Sequence, residues 1–493
     1  MDRLPPELLY RILDFCTPEL YDSHASNGPQ VRPSPAEDLH GMPGAWLSRI
    51  SEHRRPWRND IPFTDDPREM PWVLTHVCQA WRNYVLSKPI MWSFISTRFA
   101  SEAPPSQVHF YRGRVGMEAF NAHQKDRSAE IKASNERLRQ QLRRSLNQPL
   151  TVVFRPPDGM ASLIDRSFYI LCGHVSRWRD LRIKLYSHRA RDFSALRGLL
   201  PSLESLDITF LEPGVEREIA AFEIAPRLTK LVLSGNHCLG NGTALRLPFL
   251  QITDFCWYDD QHPSILLWRG PHEILARVRN VERCRILLHS LSIEAYRNKV
   301  EFVTLPKLQE LELIDNRGLS GIDVMFSWIR APSLTKLTIS SSGRTPLPLL
   351  HFLSFADSLH SLTIHNVDMS PHEFGVFLSE LTALKALSFG VGGGITDDYL
   401  GLFREKESEA GIDEFLAVPG LQKLTLLEVK DIASSYNEGP LLDVLEARWR
   451  NPDIHARLRC IDLARNVVTE EARTRLSQLR AEGLRVYLPP VEN

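Results

Sequence analysis

Long apolar runs, paired cysteines and a surplus of either charge are all missing from this 493-residue chain. No stretch approaches eighteen consecutive apolar residues, so the sequence holds no membrane-spanning helix of ordinary length. The seven cysteines, Cys16, Cys78, Cys172, Cys238, Cys256, Cys284 and Cys460, are odd in number, scattered, and never spaced C-x-x-C. Such a pattern fits neither a disulfide framework nor a paired zinc site; it suits reduced, mostly buried thiols in a cytoplasmic or nuclear protein. With 59 basic and 60 acidic side chains the net charge is -1, so no global field draws the chain to nucleic acid or to a membrane surface, and neither is an expected partner.

Chemistry-bearing motifs are equally scarce. The 17 histidines never form H-E-x-x-H, and no G-x-S-x-G elbow occurs. Gly390-Val391-Gly392-Gly393-Gly394 comes nearest to a phosphate loop, but no Gly-Lys-Ser/Thr follows, and it reads as a turn after a strand. The pairs Asp259-Asp260 and Asp397-Asp398 lack further oxygen ligands at calcium-loop spacing and read as turn and helix-start acids. The expectation is a protein that is not an enzyme, with no catalytic residue, no cofactor and no metal.

Two short apolar segments near the start carry the first positive signal. Leu4, Leu8 and Ile12 stand at i, i+4 and i+8, Leu9 and Leu13 widen the stripe, and Pro5 and Pro6 suit a first helical turn. Some sixty residues later Val73, Val77, Trp81, Tyr84 and Val85 follow helical spacing until Ser87-Lys88-Pro89 ends the helix before Trp92. The acids and basic residues of the first segment, Glu7, Arg11 and Asp14, argue against a signal peptide. Residues 17 to 70 between the two are rich in proline, serine, glycine and charge, and read as an inserted loop without its own core; Trp46 and Trp57 within it are assigned no site.

Together the two segments resemble an F-box, the helical module that docks on the Skp-type adaptor of an SCF ubiquitin ligase. Leu4, Pro5, Leu8, Leu9 and Ile12 correspond to its first part, and Val77, Cys78, Trp81, Pro89 and Trp92 to its second. The resemblance implies that these ten residues bind the adaptor. Family members join the halves by a short connection, whereas here residues 17 to 70 intervene. A longer surface loop adds only roughly 0.6 kcal/mol of closure entropy per doubling of length.

Residues 99 to 147 read as a linker, opened by Ser101-Glu102-Ala103-Pro104-Pro105-Ser106, and a polar helix from Val115 to Leu146 with a thin stripe at Ile131, Leu138, Leu142 and Leu146. Arg137, Arg139, Arg143 and Arg144 cluster on it without interleaved aromatics, and read as a solvated face. Gln148-Pro149 stops the helix, and Leu150-Thr151-Val152-Val153-Phe154 has the composition of a buried strand.

From 148 to 490 the template L-x-x-L-x-L recurs, with any apolar residue at the leucines. Its copies include Leu203/Leu206/Ile208, Leu228/Leu231/Leu233, Leu308/Leu311/Leu313, Leu334/Leu337/Ile339, Leu359/Leu362/Ile364, Leu384/Leu387/Phe389, Leu421/Leu424/Leu426 and Leu458/Ile461/Leu463. First positions stand about 25 residues apart and stretch to about 37 near the end, around the period of leucine-rich repeats. Asn236, Asn316 and Asn466 supply the repeat asparagine in three copies, and a proline precedes the first leucine by two residues at Pro201, Pro226, Pro248, Pro306, Pro332 and Pro419. Helical periods fill the intervals 264–278, 321–329, 370–381, 397–415, 441–449 and 469–479.

A strand and helix of this size cannot bury an apolar side alone, and stacked copies can. The expected fold class is therefore α/β: a helical F-box module over 1–98, a linker and polar helix over 99–147, and a curved leucine-rich-repeat solenoid over 148–490 with a parallel sheet on its concave face and helices outside. The order resembles an F-box-like family abundant in mushroom-forming fungi. That resemblance implies the substrate-receptor subunit of an SCF-type ligase, with the adaptor, a cullin scaffold behind it and an unidentified protein substrate as partners. A non-catalytic repeat scaffold unconnected to ubiquitin is the alternative.

Overall fold

The computed structural model describes residues 71–98, 114–155, 166–185, 193–210, 219–234, 245–258, 270–288, 302–315, 321–341, 349, 352, 357–391, 395–403, 405–406, 414–415, 418, 420–427, 438–450, 457–463 and 469–488. The fold is α/β, and fourteen strands run parallel with hydrogen-bonded neighbours following chain order. Two compact units can be separated among the described residues. One holds everything up to Leu231 together with 245–248; the other holds 232–234 and everything from Phe249 onward.

In the first unit, β1 (Phe94–Arg98) pairs with β2 (Leu150–Arg155), β2 with β3 (Trp178–Leu185), and β3 with β4 (Ser205–Phe210); β5 (Lys230–Ser234) begins here. Registers such as Ile95↔Val152, Val152↔Leu181 and Leu181↔Leu206 stack one apolar side chain on the next, and all four are fully buried. Helix α1 (Gln79–Ser87) precedes β1, α2 (Arg114–Arg144) precedes β2, and α3 (Arg166–Cys172) precedes β3. The Ser167 hydroxyl donates to Asn135 Oδ1 at 3.0 Å, tying α3 to α2 in a buried contact. Arg177 donates to the Gln148 carbonyl and to Ser145 Oγ, which closes the turn that leads from α2 into β2.

The second unit carries β6 (Asp254–Tyr258), β7 (Arg283–Leu288), β8 (Glu310–Asp315), β9 (Lys336–Ser341), β10 (Ser361–Val367), β11 (Ala386–Val391), β12 (Lys423–Leu426), β13 (Cys460–Asp462) and β14 (Arg485–Tyr487). Their ladders place Cys284, Leu311, Leu337, Leu362, Leu387, Leu424, Ile461 and Val486 in one row. Every one is buried, so the periodic positions of the sequence form a continuous core.

The turns before β8, β9, β11 and β12 are built the same way. Leu308, Leu334, Leu384 and Leu421 each donate a backbone N–H to the carbonyl three residues back. The next two amides then share one carbonyl of the preceding copy: Gln309 and Glu310 on Glu282, Thr335 and Lys336 on Gln309, His360 and Ser361 on Thr335, Lys385 and Ala386 on His360, Gln422 and Lys423 on Lys385. Proline at 306 and 332 falls inside that turn, where a missing N–H costs no ladder bond.

Helices α4 (Gly270–Arg277), α5 (Gly321–Trp328), α6 (Pro371–Ser379), α8 (Glu438–Arg450) and α9 (Glu470–Ala481) fall within or close to the expected intervals, and α7 (Asp397–Gly401) does not fill its own. Ser370 and Glu373 form a full capping box at α6 with Pro371 at its first turn, and Thr469 caps α9. α8 and α9 are joined by Arg475 to Asp443 and Glu446, and by Trp449 Nε1 to Glu482.

The expected helix over 397–415 is corrected: α7 ends at Gly401, and Glu405–Lys406 pairs antiparallel with Glu414–Phe415. A weak helix former at 401, followed by the charged run 404–407, gives the period no apolar face to continue on. The repeat asparagines 236, 316 and 466, the residues 392–394 and the loop 17–70 lie outside the described residues.

Candidate functional site

The segment 71–98 has a small core of its own. A 3₁₀ turn over Val73–His76 is closed by the Thr75 hydroxyl and amide on the Trp72 carbonyl, and Arg82 Nε donates to the Thr75 carbonyl at 2.7 Å. Cys78 is fully extended, so α1 starts afresh at Gln79 and does not continue the turn. Pro89 forces Lys88 out of helical conformation, ends α1, and opens a second 3₁₀ turn through Trp92. The helical spacing of Val73 through Val85 is thus split between two elements, which corrects the single helix expected there.

Trp72, Leu74, Val85, Met91 and Trp92 make the core, with Trp81 and Tyr84 packed against it. The Trp72 and Trp92 rings meet edge to face, 5.1 Å between centroids. The guanidinium of Arg144 lies 4.4 Å from the Trp92 ring centre and 5.0 Å from that of Trp72. Burial lowers the pKa of Arg144, and neighbouring Arg143 adds to the effect. Only part of the expected solvated arginine face survives: Arg139 and Arg143 pair with Glu136 in the open, but Arg144 serves the aromatic core. Gln141 Nε2 donates to the Phe94 carbonyl at 2.6 Å and Thr151 donates its amide to the Ser93 carbonyl, so α2 and β2 hold the end of the segment.

The ten adaptor-binding candidates fall in different places. Leu4, Pro5, Leu8, Leu9 and Ile12 lie outside the described residues. Val77 is exposed, Cys78, Trp81 and Pro89 are half-buried, and Trp92 is fully buried at 0 % exposure, so its ring offers no surface in this arrangement. Three apolar residues outside the ten candidates, Val73, Leu86 and Ile90, join Val77 as exposed side chains, each at least 36 % accessible. A helical wheel drawn through Val73–Val85 puts Val73 on the covered stripe and stops short of Leu86 and Ile90, and the break at Cys78 changes which side of the backbone is covered.

The second candidate surface is the face of the strands turned away from the leucine row. In the second unit its strand-start half is half-buried or exposed, as at Arg283, Arg285, Glu310, Glu312, Lys336, Thr338 and Thr363, whereas Tyr258, Leu287, Ile314, Ser340 and His365 at the strand ends are buried. Val232, Cys256, Tyr258, Leu287 and Ile314 form an apolar cluster on that face, which at Cys256 reaches the register of Arg285. The expected open row between the leucines is therefore available along only one of its margins.

Among the described residues no group of three or more His, Cys, Asp or Glu side chains could hold a metal ion. Burial raises the thiol of Cys172 to about 11 and holds that of Cys284 well above its ordinary value, so neither is a ready thiolate. No described helix is long and apolar enough to cross a membrane.

Comparison with protein-family models and with curated proteins returned no match.

Proposed function

We propose that this chain is the substrate-receptor subunit of an SCF-type ubiquitin ligase, an F-box protein whose irregular leucine-rich repeats form a solenoid that captures a protein substrate. The observation that carries the reading is in 71–98: a segment too small to be a domain keeps an aromatic core of its own and leaves Val73, Val77, Leu86 and Ile90 outside it. Interface centres are enriched in apolar and aromatic side chains, and these four apolar side chains are exposed beside an aromatic core. The proposed partner is a Skp-type adaptor, and through it a cullin, with Leu4, Pro5, Leu8, Leu9 and Ile12 completing the surface.

The contribution to reaction is proximity. A substrate held near a ubiquitin-loaded enzyme reacts at an effective concentration that free encounter does not reach. In this reading no residue of the chain touches the reacting atoms.

The test is co-purification with a Skp-type adaptor. Capture by the native chain, lost in the double variant Leu4→Ala/Pro5→Ala, supports the reading; capture indifferent to that change, or no capture at all, contradicts it.

One observation favours the second reading, a repeat scaffold with no link to ubiquitin. Trp92 is buried under Arg144, and β1 is hydrogen-bonded to β2, so the segment also does what an end cap of a repeat stack must do. Under that reading the same pull-down is blank while the scaffold still binds its partner.

A further inference from the structure

Cations on the strand-start margin of the second unit are treated in two ways. Arg283 is held by Asp254 at 3.4 Å, Arg285 by Glu312 at 2.5 Å and Lys336 by Glu310 at 3.3 Å, each pair one strand apart. These charges cancel locally. From β11 onward the arrangement changes: Lys385, Lys423, Arg459 and Arg485 are exposed, one on each of four successive strand entrances, and among the described residues none has a carboxylate partner.

The register makes them a zigzag. Lys423 and Arg485 sit in the same row on either side of Cys460, while Lys385 and Arg459 each stand one residue ahead of that row. Burial raises the Cys460 thiol pKa, Lys423 and Arg485 oppose the rise, and Asp462 adds to it, so both cations lie within electrostatic reach of one side chain. Asp462 is the only acid in the row behind them among the described residues of β11 to β14, against four cations. Hydroxyls of Ser388 and Thr425 stand in that same row, and Thr425 Oγ1 has no hydrogen-bond partner among the described residues.

We infer that the entrances of β11 to β14 are a docking row for an acidic, extended peptide segment of a partner protein. Four strands span three spacings of about 4.8 Å, or about 14 Å. An extended chain rises about 3.3 Å per residue, so about four to five residues cover the row. Carboxylates meet the cations, and of the two hydroxyls behind them the half-buried one of Ser388 is within reach of a peptide, while that of Thr425 is buried. Unpaired like charges held side by side have a cost in the free protein, and an anionic segment relieves it; this is the same complementarity that suppresses wrong partners at interfaces. A nucleic acid is the poorer fit: the cations form a narrow zigzag without an aromatic side chain interleaved between them among the described residues, and the whole chain carries a net charge of -1.

The inference depends on the proposed function only for the statement that the captured partner is a substrate. Its test uses the full chain and a fluorescein-labelled octapeptide of alternating glutamate and serine, followed by fluorescence anisotropy. Binding should weaken with added salt. Lys423→Glu/Arg485→Glu should lose about tenfold or more in affinity, whereas Arg283→Glu, at a cation that is already paired, should change it less than about twofold. Adaptor capture by the Lys423→Glu/Arg485→Glu variant, equal to that of the native chain, separates this site from the adaptor surface. No binding by the native chain, equal loss in both variants, or a single-stranded oligonucleotide bound about tenfold more tightly than the peptide overturns the inference.

Discussion

The Trp92 indole donates its Nε1 hydrogen to the Val85 carbonyl at 2.9 Å, joining the second 3₁₀ turn to the last turn of α1. Lys88, three residues after Val85, already uses the same carbonyl through its own amide at 3.3 Å, so the side chain and the main chain close one corner together. Arg144 then covers the ring from α2. Two adjacent elements and a third that is distant in sequence meet on one side chain.

Trp92→Ala should therefore cost about 3–5 kcal/mol, the range for deleting a large buried aromatic, and Arg144→Ala about 1–2 kcal/mol through the lost cation–π contact and packing. Trp92→Phe keeps most of the apolar volume and loses the indole hydrogen bond, and should fall between the wild type and Trp92→Ala. Urea unfolding monitored by circular dichroism measures all three. A Trp92→Ala variant as stable as the native chain would remove the basis for treating 71–98 as a packed module.

The strand row was legible in the sequence, and the module's surface was not. Leu311, Leu337, Leu362, Leu387 and Leu424 are adjacent in space because the same template recurs in the chain, and each copy brings its own turn. β1 escaped notice because Ser96 and Thr97 break its apolar pattern, and both are buried in spite of their hydroxyls. The exposure of Val73, Leu86 and Ile90 was hidden for a different reason. The local path depends on two devices, the bonds of Thr75 and Arg82 to the Trp72 and Thr75 carbonyls and the extended backbone at Cys78, and neither leaves a mark in hydrophobic periodicity. The charge zigzag is likewise invisible to periodicity, since it depends on which residues the register places side by side.

Gly390 sits where the backbone of the neighbouring strand passes closest. A Cβ there would stand 2.4 Å from the Leu427 carbonyl oxygen and 2.9 Å from its Cβ, and Leu427 in turn donates its amide to the Phe389 carbonyl. Gly390→Ala must push β11 and β12 apart and should cost about 1–3 kcal/mol, as overpacking does. Gly401→Ala, which meets nothing within 4 Å at the end of α7, should be neutral or stabilising by up to about 1 kcal/mol. Thermal unfolding of the two variants side by side checks the contrast.

Arg448 is fully buried on α8 and donates to the carbonyls of Phe403 and Val418. Arg448→Ala leaves those oxygens without their donor and opens a cavity, and should cost about 3 kcal/mol or more. Arg448→Met refills much of the volume but not the hydrogen bonds, so its cost should be smaller yet still measurable. Equal stability of the two variants would assign the whole effect to the hydrogen bonds.

Cys172 gives a pH prediction. Its folded pKa is raised by burial from 9.0 to about 11, so in the unfolded chain the thiol ionises first. The contribution to stability is fully present below pH 9 and is lost as pH rises from 9 to about 11. The native chain should lose more stability than Cys172→Ala between pH 8 and pH 10.5, measured as the shift in urea midpoint. Parallel curves for the two proteins would contradict the burial assigned to this thiol.

The most direct measurement of the central claim is the affinity of the full chain for a purified Skp-type adaptor, compared with that of Val77→Asp/Ile90→Asp. Both side chains are exposed, so the variant should unfold with the native chain. The account predicts submicromolar capture by the native chain and a loss of about a hundredfold or more in the variant, since two charges would be buried at an apolar contact. Undiminished affinity in the variant, or an adaptor that ignores the native chain, would contradict it.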